Sequence, residues 1–410
     1  MRTVLPIVLA LAAAAPAFLL RFGGLVLPVE LATLGFGLSV VGAAFAMSWA
    51  AEAAERDIPR ALALTAVALL AVLPEYAVDI IFAYKAGQDP TFAPYAVANM
   101  TGSNRLLLGL GWPAVAVLAW LKSGRSLLRL DRADFMPLGF LAIATLYSFL
   151  LPLKAAISPF DSLVLICLFG VYALLAARAE TEEPILVGPA AAIGGLPTAA
   201  RRLAILSLFA FAGATIGISA EPFAEGLVHT GQKLGIDEFL LVQWLAPLAS
   251  ETPEFLVAAL LAVRGKATAA LGLLLAAKVN QWTLLVGSLP LAYSAGAGQL
   301  AALPLDQRQV GEVLLTAAQS LFGLAVLAGL SFSLREAALL ATLFVGQLIL
   351  GGVLRAGLHD ADVASSELFW FAGLYLVLAA WQLARARHVL TKLLRRDDRA
   401  LQFPSRKKAA

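Results

Sequence analysis

Charged side chains are scarce in this sequence. They make up 14% of its 410 residues, against about 25% in an ordinary soluble domain. A water-soluble globule of this composition could not cover its surface with polar groups, which excludes a cytosolic enzyme, a nucleic-acid binder and a disordered protein. There is one cysteine, Cys167, so there is no intrachain disulfide and no cysteine metal site. Lying in an apolar run, it reads as a small core residue. The three histidines, His229, His359 and His388, fall at the ends of apolar runs or in the tail and read as facing water. That leaves no histidine set for a catalytic metal. Phosphate-loop chemistry is absent too, because Gly194-Gly195 lacks the Lys-Ser/Thr ending.

What the chain has instead is apolar length. Hydrophobic residues make up 60% of it and the mean hydropathy is +0.85. They fall in twelve blocks near the 20 residues that cross hydrocarbon: 4–20, 33–52, 60–84, 94–120, 134–151, 158–177, 203–228, 238–263, 267–294, 310–330, 334–354 and 366–384. The runs are continuous and rich in Leu and Ala, unlike the alternation of barrel strands. The fold class is an all-α polytopic membrane protein of about twelve transmembrane helices. With an inside N-terminus, the inner gaps and their flanks hold twelve Lys and Arg and the outer ones six, before the basic 386–410 tail is counted. The bias places both termini in the cytoplasm. The tail reads as a solvated flank, or as a lipid-binding patch. Residues 1–32 read as an N-terminal helix or as a signal-like segment with a small-residue site at Ala13–Ala17.

Two stretches of the chain match. Leu73-Pro74-Glu75 is followed by Asn104, Gly111, Pro113 and Asp131; Thr252-Pro253-Glu254 is followed by Asn280, Gly287, Pro290 and Asp306. Five spans separate equivalent positions, and five is odd, so the copies lie upside down relative to each other. The expected organisation is a 5+5 inverted repeat with one extra helix at each end. A first repeat runs over 33–178 with its motif at 70–113, a short connector over 179–202, and a second repeat over 203–354 with its motif at 246–290. An extra helix spans 355–385.

Proline has no amide hydrogen, so Pro74 releases the Leu70 carbonyl and Pro253 releases that of Ala249. Each repeat therefore offers a backbone oxygen about a turn from a carboxylate, a pairing that hard cations favour. Glu75, Asp79, Glu251 and Glu254, with Glu221 and Glu225 in the preceding span, would together cost on the order of 15–20 kcal/mol to insert. Arg105 and Lys278 offset part of that. The remaining acids call for bound cations or protons.

These residues resemble the calcium/cation antiporter superfamily of the sodium/calcium exchanger type. Its repeats read Gly-Thr-Ser-x-Pro-Glu followed by Gly-Ser-Asn, and here stand Ala71-Val72-Leu73-Pro74-Glu75 with Gly102-Ser103-Asn104, then Ser250-Glu251-Thr252-Pro253-Glu254 with Lys278-Val279-Asn280. The resemblance implies alternating access, with Glu75 and Glu254 as paired carboxylates on the transported metal ion. Ser250, Glu251, Asn104, Asn280 and Thr283 would be further ion-site positions. The chain departs from the pattern at Ala71 and Val72, which bring no side-chain oxygen. Asp79, a turn after Glu75, stands as the replacement acid, and Lys278 and Arg105 as fixed cations in place of coupling ions.

The expected function is secondary antiport of Ca2+ or a similar cation against Na+ or H+. A proton-coupled monovalent cation exchanger is the alternative. A non-transporting sensor or structural protein, and an intramembrane acid–base enzyme, are the readings from other classes. No cofactor is expected, and the partners are inorganic cations and the lipid bilayer of a plasma (inner) membrane.

Overall fold

A computed structural model describes residues 4–54, 56–57, 73–124, 126–131, 134–178, 186–235, 237–357 and 361–394. Almost every described segment is helical, as continuous apolar runs require once water cannot satisfy the backbone. In chain order the helices are α1 (Val4–Phe22), α2 (Val29–Ala54), α3 (Leu73–Gln88), α4 (Ala93–Leu106), α5 (Trp112–Ser123), α6 (Phe135–Ser148), α7 (Leu150–Lys154) and α8 (Pro159–Arg178). After a short α9 (Gly188–Gly194) come α10 (Thr198–Leu234), α11 (Glu238–Val263), α12 (Ala267–Asn280), α13 (Val286–Ala297), α14 (Gln307–Leu327), α15 (Leu334–Gly357) and α16 (Ala361–Leu394).

Among the described residues ten helical stretches are long and apolar enough to cross a membrane, and eleven when bent α11 is counted. They match eleven of the twelve expected spans. Most of the remaining one, 60–84, lies outside the described residues, as does Leu70. Helix α11 bends by 55° between Thr252 and Glu254, at Pro253, which has no amide hydrogen for the Ala249 carbonyl.

The two halves carry the same local irregularities at matching positions. A π-helical turn follows α4 at Leu107–Gly111 and another follows α12 at Gln281–Leu285. Ala155 (φ 49°) and Leu330 (φ 55°) are the non-glycine residues with positive φ among the described residues, and they stand 175 positions apart. Left-handed backbone costs an L-residue about 1–2 kcal/mol, so each needs a reason. Both begin a crossed ribbon. The Ala155 carbonyl accepts from Leu305 N at 2.9 Å, and the Leu330 carbonyl accepts from Leu130 N at 3.1 Å. Strand β1 (Leu127–Arg129) pairs antiparallel with β4 (Ser331–Ser333), and β2 (Ala156–Ile157) with β3 (Leu303–Pro304). Each ribbon thus joins one half to the other.

The interior lies where α3, α4, α11 and α12 meet. Glycines allow the close crossings. A Cβ on Gly102 would collide with the Gln243 carbonyl of α11, and one on Gly296 with the Tyr84 carbonyl of α3. Cys167 of α8 is exposed rather than in the core. In a membrane the outer, lipid-facing side is as apolar as the interior, so an apolar run does not say which way a cysteine faces.

Candidate functional site

Four helix segments bring the polar residues together. Glu75 and Asp79 lie on the first two turns of α3, Ser103 and Asn104 near the end of α4, and Ser250, Glu251 and Glu254 around the bend of α11. Lys278 and Asn280 end α12, and Gln281 and Thr283 lie in the π turn after it. Glu75, Asp79, Asn104, Ser250, Glu251, Lys278, Asn280 and Thr283 are all buried. Glu254 is half-buried.

At the centre is a residue that sequence reasoning missed. The Gln281 side-chain amide donates to Glu75 Oε1 at 3.1 Å and to Glu251 Oε1 at 2.6 Å, linking the two halves. From sequence, Glu75 is expected to pair with Glu254. In the structure Glu251, Asp79 and Glu254 all lie near Glu75, and Gln281 links it to Glu251. Ser103 lies beside both Glu75 and Glu251. Tyr76 donates its hydroxyl to Asn280 Oδ1 at 3.0 Å, so that asparagine is tied to α3 as well. Thr283 donates to the Val279 carbonyl at 2.5 Å, and Ser250 to that of Ala246 at 3.1 Å. Both hydroxyls keep their lone pairs for another partner.

Several buried oxygens are left over. Asp79 Oδ1 and Oδ2, Glu251 Oε2 and Gln281 Oε1 make no hydrogen bond with a described residue, although Asp79 lies beside Asn99. Buried polar atoms are nearly always partnered, and these carboxylate and amide oxygens are the donor set that hard cations take. Among the described residues no three histidine, cysteine or acidic side chains form a metal cage of their own. Any cation here would therefore need neutral oxygens such as Gln281 Oε1 as well as the acids.

The cations divide. Lys278 is buried and does not reach for the interface. Its ammonium donates to the Asn104 carbonyl at 2.6 Å and to Asn104 Oδ1 at 3.1 Å, and lies 5.7 Å from the Trp282 ring centroid. Arg105, expected at the ion site, has a different main partner: its guanidinium meets Glu312 of α14 at 2.7 Å and lies over the Trp244 ring, 5.0 Å from its centroid. Both members of that pair are fully buried. Glu312 was overlooked from sequence, and it accounts for the arginine. Glu221 and Glu225, counted among the buried acids, are about half exposed and form ion pairs with Lys85. Lys85 offsets one of their two charges where they stand.

The family model described as sodium/calcium exchanger protein matches residues 29–178 and 204–382. The chain belongs to this family. Its members' architecture recurs in solved structures. A crystal structure of an H+/Ca2+ exchanger, CAX, is 44% identical, with a TM-score of 0.86 over 96% of this chain and 97% of that one. A Ca2+/H+ antiporter, YfkE, is 14% identical, with a TM-score of 0.63 over 84% of this chain and 98% of that one. The sodium-calcium exchanger NCX_Mj is 16% identical, with a TM-score of 0.51 over 79% and 99%. The last two show the shared fold alone. No curated protein sequence matches. As a member of this family the chain is an integral multi-pass membrane protein and a cation antiporter, not an enzyme.

Proposed function

We propose that this exchanger moves Ca2+ against H+ by alternating access, with Glu75, Glu251, Asp79 and Gln281 at the ion site and Glu254 beside them. One observation carries the reading: carboxylates from both halves, Glu75 and Glu251, meet on Gln281, with buried oxygens of Glu251, Gln281 and Asp79 left unpartnered. A divalent cation needs about two negative charges and several neutral oxygens. Glu75 and Glu251 supply the first; Gln281 Oε1, Ser103 and Ser250 supply the second. Whichever carboxylates give up the metal take protons, because a cluster of buried acids does not stay fully ionised alone.

The choice of proton over sodium rests on three supports. The H+/Ca2+ exchanger is similar over nearly its whole length. Ala71 and Val72 bring no oxygen where the family pattern has Thr and Ser. The Lys278 ammonium, on the Asn104 carbonyl, brings a fixed positive charge to the ground where a sodium ion would need oxygens. The basic face that holds Arg56, Lys122, Arg129, Arg335 and Arg385 is read as cytoplasmic in a plasma membrane, which puts both termini inside. The test is uptake of labelled calcium into proteoliposomes under a pH gradient or a sodium gradient. Uptake that follows the pH gradient supports the reading. Uptake that needs sodium overturns it.

A further inference from the structure

A cavity lies at the basic membrane face, lined by none of the central acids. It is a cleft of about 980 Å3 between the end of α14, the start of α15, the last turns of the apolar part of α16 and the β1–β4 ribbon. That is the upper size range of small-molecule sites. Its wall is mainly apolar and includes Phe322, Leu339 and Trp381. Two guanidiniums, Arg335 and Arg385, line its mouth. Both are exposed, and neither forms an ion pair with an acid among the described residues.

The third charge there is already engaged. Glu336 accepts from Ser333 N at 2.8 Å and Ser333 Oγ at 2.7 Å through Oε2, and from Gln382 at 2.8 Å through Oε1. Its hydrogen bonds cap the start of α15 and fix that helix to α16. The arginines remain turned to the cleft, and Arg385 lies over the Trp381 ring, 4.6 Å from its centroid. Trp381 is 52% exposed.

Depth identifies what such a cleft meets. Helix α16 has 34 residues, about 51 Å at 1.5 Å each, against about 30 Å of hydrocarbon. Its apolar stretch is Ser366–Arg387, so Trp381 and Arg385 stand in its last two turns, at headgroup level. A half-exposed tryptophan with arginines is the usual furniture of that zone. Basic pockets between membrane helices at a cytoplasmic face recognise anionic lipid headgroups.

We propose that this cleft binds one anionic phospholipid. Arg335 and Arg385 hold its phosphate as charge-assisted donors, and the exposed Leu339 and Trp381 side chains take the upper acyl chain. The site does not depend on which ion the exchanger carries. Its occupant would tie the α16 end and the α15 start to the headgroup layer.

The test is lipid retention by the delipidated, detergent-purified full chain, read by native mass spectrometry with phosphatidylglycerol or phosphatidylcholine micelles. Wild type is expected to retain one phosphatidylglycerol at a concentration where phosphatidylcholine is lost. Arg335→Gln with Arg385→Gln is expected to weaken retention at least tenfold. Ala338→Trp, which fills the cleft and keeps both arginines, is expected to abolish it, while Lys122→Gln on the same face keeps it. Equal retention in the double arginine variant, unchanged retention in Ala338→Trp, or equal retention of phosphatidylcholine would each overturn the proposal. Displacement of the lipid by inorganic phosphate at matching concentration would also overturn it, since the acyl wall would then contribute nothing.

Discussion

Glu75 and Glu251, carboxylates from opposite halves of the chain, share one donor: the Gln281 amide nitrogen lies 3.1 Å from the first and 2.6 Å from the second. Without it the two buried acids lose the amide that links them. Hydrogen bonds to charged groups contribute roughly 1.5–3 kcal/mol.

Replacing that amide should therefore be felt in ion affinity. Gln281→Leu removes both the bridge and an oxygen ligand. Apparent calcium affinity in proteoliposome uptake is expected to fall by about 10-fold or more, with the protein still folded. An affinity within twofold of wild type would show that Gln281 is not at the ion site.

The Arg105–Glu312 pair makes a different demand. Both groups are buried, so removing one leaves the other without its opposite charge, which costs about 3–5 kcal/mol. Arg105→Met or Glu312→Met alone should lower the unfolding temperature sharply in detergent. The double variant should recover most of the loss, as buried pairs replaced by apolar residues often do. A double variant as unstable as the sum of the singles would show that the two act independently.

How much of this was legible beforehand follows from what each residue signals. The spans were legible because hydrocarbon thickness fixes apolar run length, and the bend of α11 because proline lacks an amide hydrogen. Gln281 was not: it occupies the place of Arg105 in the other half, so aligning the repeats sets an amide against a guanidinium with no shared role. Glu312 is a single acid in an apolar span, and nothing in the sequence ties it to Arg105, 207 positions earlier. Lys85 closes one span while its acids lie on α10, a proximity only the packed helices show. Arg105 was expected at the ions for want of that partner.

Outside the membrane, Asp57 links α2 to α10. Its carboxylate receives Arg201 at 2.7 Å through Nε and through Nη2, with Arg202 at 3.5 Å. The Arg201 bonds hold the Asp57 carboxyl below its usual value of 3.8. A depressed acid contributes stability above its unfolded pKa, and that contribution is lost as pH falls through the folded one. Asp57→Asn should lower the unfolding temperature by the same modest amount between pH 5 and 8. The difference should close only below about pH 3.8. A difference that closes near pH 6 would assign the effect to another group.

The proposed orientation is checked by cysteine labelling in a Cys167→Ala background. A Thr181→Cys probe should react from the cytoplasmic side and a Lys85→Cys probe from the outside. Both probes reacting from one side would break the inverted arrangement. Thr181→Cys reacting only from outside would reverse the orientation.

The most direct check records calcium uptake and lumenal pH together in proteoliposomes free of sodium. Calcium entry should drive proton exit, alkalinising the lumen in step with uptake, and Glu75→Gln and Glu251→Gln should each abolish both signals. Calcium uptake with no pH change, or full exchange in either glutamine variant, would contradict the account.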